Sequence, residues 1–114
     1  MAASPLMLVS YRRRTTGHCD TRGLMLFMII ERFKNGDAIP VYRRFRDRGR
    51  LAPAGVAYVS SWVDTGLERC YQVMEAPDPG LIDQWVANWS DIVDFEIFPV
   101  ITSKEAAERI APRL

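Results

Sequence analysis

Ala57-Tyr-Val-Ser-Ser-Trp-Val-Asp-Thr-Gly-Leu-Glu-Arg-Cys-Tyr-Gln-Val-Met-Glu75 is the stretch that decides the fold. Tyr58, Val59, Trp62 and Val63 precede Thr65-Gly66-Leu67-Glu68, and Cys70, Tyr71, Val73 and Met74 follow it. These are two alternating runs rich in β-formers, joined by turn residues. Gly66 at the head of a two-residue turn fits a type II′ hairpin. That turn sets a register in which Trp62 faces Tyr71, Ser60 faces Val73 and Tyr58 faces Glu75. Opposed residues point to the same side. One face is therefore expected to carry Tyr58, Ser60, Trp62, Tyr71, Val73 and Glu75, and the other Val59, Ser61, Val63, Cys70, Gln72 and Met74.

Working outward, each flank of the hairpin supplies a strand and a helix. Upstream, Leu24-Met-Leu-Phe-Met-Ile-Ile30 is apolar at every position, as in a central strand covered on both sides. Asp37 and Pro40 open a helix expected to run from Ala38 to about Leu51, with Val41, Tyr42 and Phe45 on one face. Downstream, Asp78-Pro79-Gly80 starts a second helix carrying Leu81, Ile82, Trp85, Val86 and Trp89. Ile92 to Ile101 reads as a fourth strand, with Pro99 marking an edge or an end. Thr102-Ser-Lys-Glu105 matches a capping box for a short last helix. The order β-α-β-β-α-β predicts an α+β, ferredoxin-like antiparallel sheet with two helices on one face and a short C-terminal helix.

The chain has 114 residues, enough for one ordinary domain. Its net charge of +1 gives no global polyanion-binding signature, and no apolar run approaches a membrane span. The charge is uneven. Residues 1–23 hold four arginines against Asp20, a net +3, and the only histidine, His18. This stretch lacks helical or strand periodicity and reads as an extension, disordered or upstream of the true start, ahead of a domain over residues 24–114. His18 and Cys19 are too few for a structural zinc site, so no metal or other cofactor is expected. Two cysteines make no disulfide framework, which fits a cytoplasmic location. Arg43 to Arg50 holds five arginines against Asp47 and reads as a solvated helix exterior; neither nucleic acid nor membrane is an expected partner.

Candidate chemistry is sparse. Glu75, opposite Tyr58 and beside Trp62 and Tyr71, is the weak catalytic candidate. A carboxylate walled by aromatics has a raised pKa and can serve as a general base. Tyr58, Trp62, Tyr71 and Glu75 are the ligand-binding candidates, with Glu31 a weaker one. The plainer reading puts Glu75 at a wet strand end, the aromatics in packing, and Glu31 in solvent beside Arg32. Trp85 and Trp89 read as core, and Cys70 as a small buried hydrophobe. With no histidine after residue 23, a Ser-His or Cys-His mechanism has no base there.

The strand from Met25 to Lys34, the blocks Tyr58-Val-Ser-Ser-Trp-Val-Asp64 and Arg69-Cys-Tyr-Gln-Val-Met-Glu75, and Trp85-Val-Ala-Asn-Trp-Ser-Asp91 resemble an uncharacterised bacterial domain-of-unknown-function family. The similarity runs from Met25 to Leu114. That family resembles a branch of the dimeric α/β-barrel group, in which two ferredoxin-like sheets pack face to face. Cofactor-free monooxygenases, muconolactone isomerases and stress-responsive barrel proteins share that architecture. The resemblance implies a homodimer binding a small apolar molecule between the sheets, with cofactor-independent oxidation or isomerisation as the reaction class. It transfers no residue roles. The alternative is a non-enzymatic dimerisation module with a filled interface. An apolar pattern on both faces of the sheet points to self-association in either case.

Overall fold

The computed structural model describes residues 22–114; the expectations for His18, Cys19 and nearly all of the extension lie outside the described residues. The elements are β1 (Met25–Phe33), α1 (Ile39–Arg48), β2 (Ala57–Val63), β3 (Arg69–Ala76), α2 (Pro79–Ala87), β4 (Val93–Val100) and α3 (Ser103–Ile110). Short 3-10 turns follow β1 and α3. The sheet order is β2-β3-β1-β4, with every pair antiparallel. This order, with β-α-β-β-α-β connections, matches the ferredoxin-like fold expected from the hairpin and its flanks.

Alternation along the strands separates the two faces. Phe27, Ile29, Glu31 and Phe33 of β1 are buried, as are Cys70, Gln72 and Met74 of β3 and Val93, Phe95 and Ile97 of β4. The apolar ones among them form one core with Ile82, Trp85 and Val86 of α2 and with Trp89, so this is the helix-covered face. The Trp85 and Phe95 rings meet edge-on with centroids 5.4 Å apart. The opposite face carries Leu26, Met28, Ile30, Tyr71 and Val73, all half-buried, with Trp62 and Phe98 exposed.

Capping follows the local sequence. The Asp78 carboxylate accepts the Gly80 N–H at 3.0 Å, and Pro79 fills the first helical position of α2. Thr102 Oγ1 accepts the Glu105 N–H at 3.1 Å to start α3. The Asp37 carboxylate accepts the Ile39 N–H at 3.0 Å at the start of α1. The first helix is shorter than its periodicity predicts. It ends at Arg48, where Gly49 takes φ 73°, a left-handed value that costs glycine little. Arg50 is consequently off the helix.

Two features of the hairpin depart from expectation. The turn is not type II′: Gly66 has no positive φ, and Leu67 takes φ 59° instead. The Leu67 N–H bonds the Asp64 carbonyl at 3.0 Å, centring the turn on Thr65-Gly66. The Asp64 carboxylate then accepts from the Glu68 and Arg69 amides at 2.8 and 3.1 Å, which holds its pKa below the usual carboxylate value. The second departure matters more. Trp62↔Tyr71 and Ser60↔Val73 pair as expected, but the register shifts between Ser60 and Tyr58. Tyr58 pairs with Met74, not Glu75, and Ala57 takes the Glu75 position. A bulge places two residues opposite one and reverses the alternation beyond it. Tyr58 therefore turns to the helix-covered side.

Candidate functional site

α1 buries only Val41 against the core, leaving Tyr42 and Phe45 half-exposed. Such thin cover leaves a cavity of about 210 Å³ between α1 and the sheet. Glu31 and Phe33 of β1, Ser61 and Val63 of β2, and Cys70 and Gln72 of β3 form its sheet wall. Val41, Tyr42, Phe45, Arg50, Trp85 and Trp89 close the helix side.

Glu31 is the chemical centre of this cavity. Its position on β1 has the same parity as Phe27, Ile29 and Phe33, so the strand drives it inward at 8% exposure. The expectation of a solvated Glu31 is overturned by this parity; Arg32, one residue on, is the exposed member of the pair. The Gln72 amide donates to Glu31 Oε2 at 3.4 Å, a long bond. Among the described residues it is the one hydrogen bond to the Glu31 carboxyl, yet no fully buried side-chain oxygen lacks a partner. The second carboxyl oxygen therefore meets the accessible space of the cavity. Burial raises the Glu31 pKa to about 7, partly offset by the positive charge of Arg50.

Arg50 is placed by two different anchors. Its backbone carbonyl accepts the indole N–H of Trp85 at 3.1 Å and of Trp89 at 2.8 Å. Its guanidinium lies over the Tyr58 ring at 3.9 Å and the Phe45 ring at 5.2 Å. Tyr58 is fixed in turn by a 2.8 Å hydrogen bond between its hydroxyl and Ser61 Oγ. Arg44 serves α1 differently. It makes two bonds to Asp91, at 2.8 and 2.6 Å, and one to the Asn88 carbonyl, tying the helix to the α2–β4 loop. Cys70 is a poor nucleophile here, since burial first and the Glu31 charge second push its thiol up to about 12.

The candidates read from the sequence are thus divided between two faces. Glu31 lines the cavity, and Tyr58 borders it through Ser61 and Arg50. Trp62, Tyr71 and Glu75 lie on the other face of the sheet, where Glu75 pairs with Arg22 at 2.9 Å. Glu75 and Tyr58 do not form one constellation, because the bulge separates them. Arg50, Gln72, Tyr42 and Ser61 were absent from the sequence candidates. The signal for Arg50 was Gly49, which stops the helix and removes the next residue from its solvated exterior.

A four-stranded antiparallel sheet with an acid-bearing cavity on its helix-covered face defines an α+β protein of ferredoxin-like topology. The chain belongs to the family described as a domain of unknown function (DUF3303), which matches residues 25–114. Comparison with curated proteins and with solved structures gives no match. Among the described residues no helix is long and apolar enough to cross a membrane.

Proposed function

We propose that the chain binds a small, mostly apolar molecule in the cavity beneath α1 and that Glu31 exchanges a proton with it. The observation that carries this reading is one buried carboxyl opening into an aromatic-walled space. Pockets for small molecules combine apolar walls with a few placed polar groups, and a general base works best with a pKa near the operating pH. The step leaves the C–H electron pair delocalised on the ligand while the proton sits on Glu31. Return of that proton to a second carbon is an isomerisation. Cofactor-independent monooxygenases begin with the same abstraction, so the expected reaction class of either kind uses this group.

Incubation with a panel of enolisable ring ketones in deuterated water tests both halves. Chemical shifts of Glu31, Ser61 and Gln72 should move on ligand addition. Hydrogen–deuterium exchange into the bound ketone should be catalysed by the native chain and be at least tenfold slower with Glu31→Gln. Shift changes confined to the opposite sheet face would overturn the assignment of the site.

A second reading, compatible with the first, concerns that opposite face. Trp62 is 59% exposed, and its row continues through Tyr71 to Ile30. Most charged residues at the margins are paired within the chain, Arg32 with Glu96, Lys34 with Asp94 and Arg22 with Glu75, while Arg69, opposite Arg32, has no carboxylate partner among the described residues. A largely apolar face with its charges at the rim fits a second copy of the same surface, and the resemblance to dimeric α/β-barrel proteins supports that occupant. The native chain should sediment at twice 13.0 kDa. Trp62→Asp should halve that mass without unfolding the chain. A native mass of 13.0 kDa at micromolar concentration would remove the homodimer, and with it the interaction-module alternative.

A further inference from the structure

We propose that the ligand enters the cavity as an anion, a small ring-bearing carboxylate whose acid group is gripped by Arg50. This inference rests on the cavity reading above and names its ligand class.

Arg50 is the one arginine or lysine among the residues lining the cavity. Several surface cations pair with a carboxylate of the chain, Arg32, Lys34 and Arg44 among them. Among the described residues no carboxylate pairs with Arg50, although Glu31 lines the same cavity. What holds the Arg50 guanidinium is cation–π contact, its central carbon lying 3.9 Å from the Tyr58 ring centroid and 5.2 Å from that of Phe45. Contact with a ring face leaves the in-plane N–H donors of a guanidinium available, in the fork that matches a carboxylate, and Arg50 lines the cavity. The main chain beneath is fixed by the two indole N–H bonds, so the fork is presented from a positioned base.

Size and charge agree with this assignment. An apolar cavity of roughly 150 Å³ accommodates benzene, so about 210 Å³ leaves room for a ring and one substituent. Phe33, Phe45, Trp85 and Trp89 supply the ring's surroundings. With its proton on, Glu31 donates a hydrogen bond toward the bound carboxylate. With its proton off, it becomes the base that takes the C–H proton and at the same time places a like charge in the same space. The acid form thus admits the anion, and the ionised fraction, present near its pKa of about 7, does the chemistry. The other groups facing it are Gln72 and Cys70 of β3, Ser61 of β2, Tyr42 of α1 and Arg50. Cys70 titrates near 12 and the Tyr42 hydroxyl is raised above its usual value by burial, so neither changes charge near neutrality.

The probes are benzoate and its uncharged isostere benzamide, titrated into the full chain by calorimetry at pH 6 and pH 8. Benzoate should bind at least tenfold more tightly than benzamide at pH 6. That preference should disappear in Arg50→Gln and fall to an intermediate value in Arg50→Lys, which keeps the charge and loses the fork. Benzoate should weaken between pH 6 and pH 8 as Glu31 ionises, and Glu31→Gln should remove this dependence. The main-chain anchor of Arg50 survives both substitutions, and circular dichroism checks the fold. Equal binding of the two probes, or a preference surviving in Arg50→Gln, would overturn the anion assignment while leaving the cavity reading in place. A folded chain that binds neither probe would overturn both.

Discussion

Glu31→Gln is expected to make the protein more stable at pH 8 than the native chain, and equally stable near pH 4.5. The folded pKa of Glu31 is raised from 4.5 to about 7. Between those values the folded state holds a proton that the unfolded state has released. Stability therefore falls as pH rises through this window and levels off above pH 7. Each pKa unit is worth about 1.4 kcal/mol, so the loss is on the order of 3 kcal/mol for a group this buried. Glutamine keeps the shape and the Gln72 contact without the ionisation. Urea unfolding of both proteins at pH 4.5, 6 and 8 checks the expectation, and the difference between them cancels every other titrating group. Asp64 and Asp91, whose pKa values are lowered by hydrogen bonds, act at the acid end with the opposite sign. Parallel curves for the two proteins across the range would show that Glu31 is solvated.

The second large effect concerns Trp85. Trp85→Ala is expected to cost about 3–5 kcal/mol, a large share of the 5–15 kcal/mol typical of a domain. The ring is 2% exposed, meets Phe95 edge-on and donates to the Arg50 carbonyl. Trp85→Phe separates these contributions. It keeps most of the ring packing and removes one donor, while Trp89 still satisfies the carbonyl. The expected loss is about 1 kcal/mol. The midpoint of urea unfolding measures both. Comparable losses for the two substitutions would mean that the hydrogen bond, and not the ring, holds this corner of the fold.

The fold was legible because its signals are local and repeated. Alternation around Trp62 and Tyr71 and the unbroken apolar run of the central strand β1 each survive in the structure, as do Asp78-Pro79 and Thr102…Glu105 at helix starts. The cavity was less legible, for two physical reasons. One extra residue in β2 reverses the side on which Tyr58 stands, and a bulge leaves no periodic trace in seven residues. Glu31 looked like the polar end of a strand, since a pattern reading places Glu in water unless a partner is in view. Its burial depends on β3 and β4 flanking it, at Cys70 and Phe95, residues 39 and 64 positions away in the numbering shown by their pairing. Arg50 was hidden in an arginine-rich run, where composition argued for a solvated surface and one glycine decided otherwise.

The three tryptophans are distributed in a way that makes the chain its own optical reporter. Trp85 and Trp89 border the cavity, with indole N–H groups tied to one carbonyl, in a dry setting that shifts emission to the blue. Trp62 stands in water on the other side of the sheet, where emission lies to the red. Occupation of the cavity and coverage of the sheet therefore act on different parts of one spectrum. The two events can be followed separately in a single cuvette, without a label.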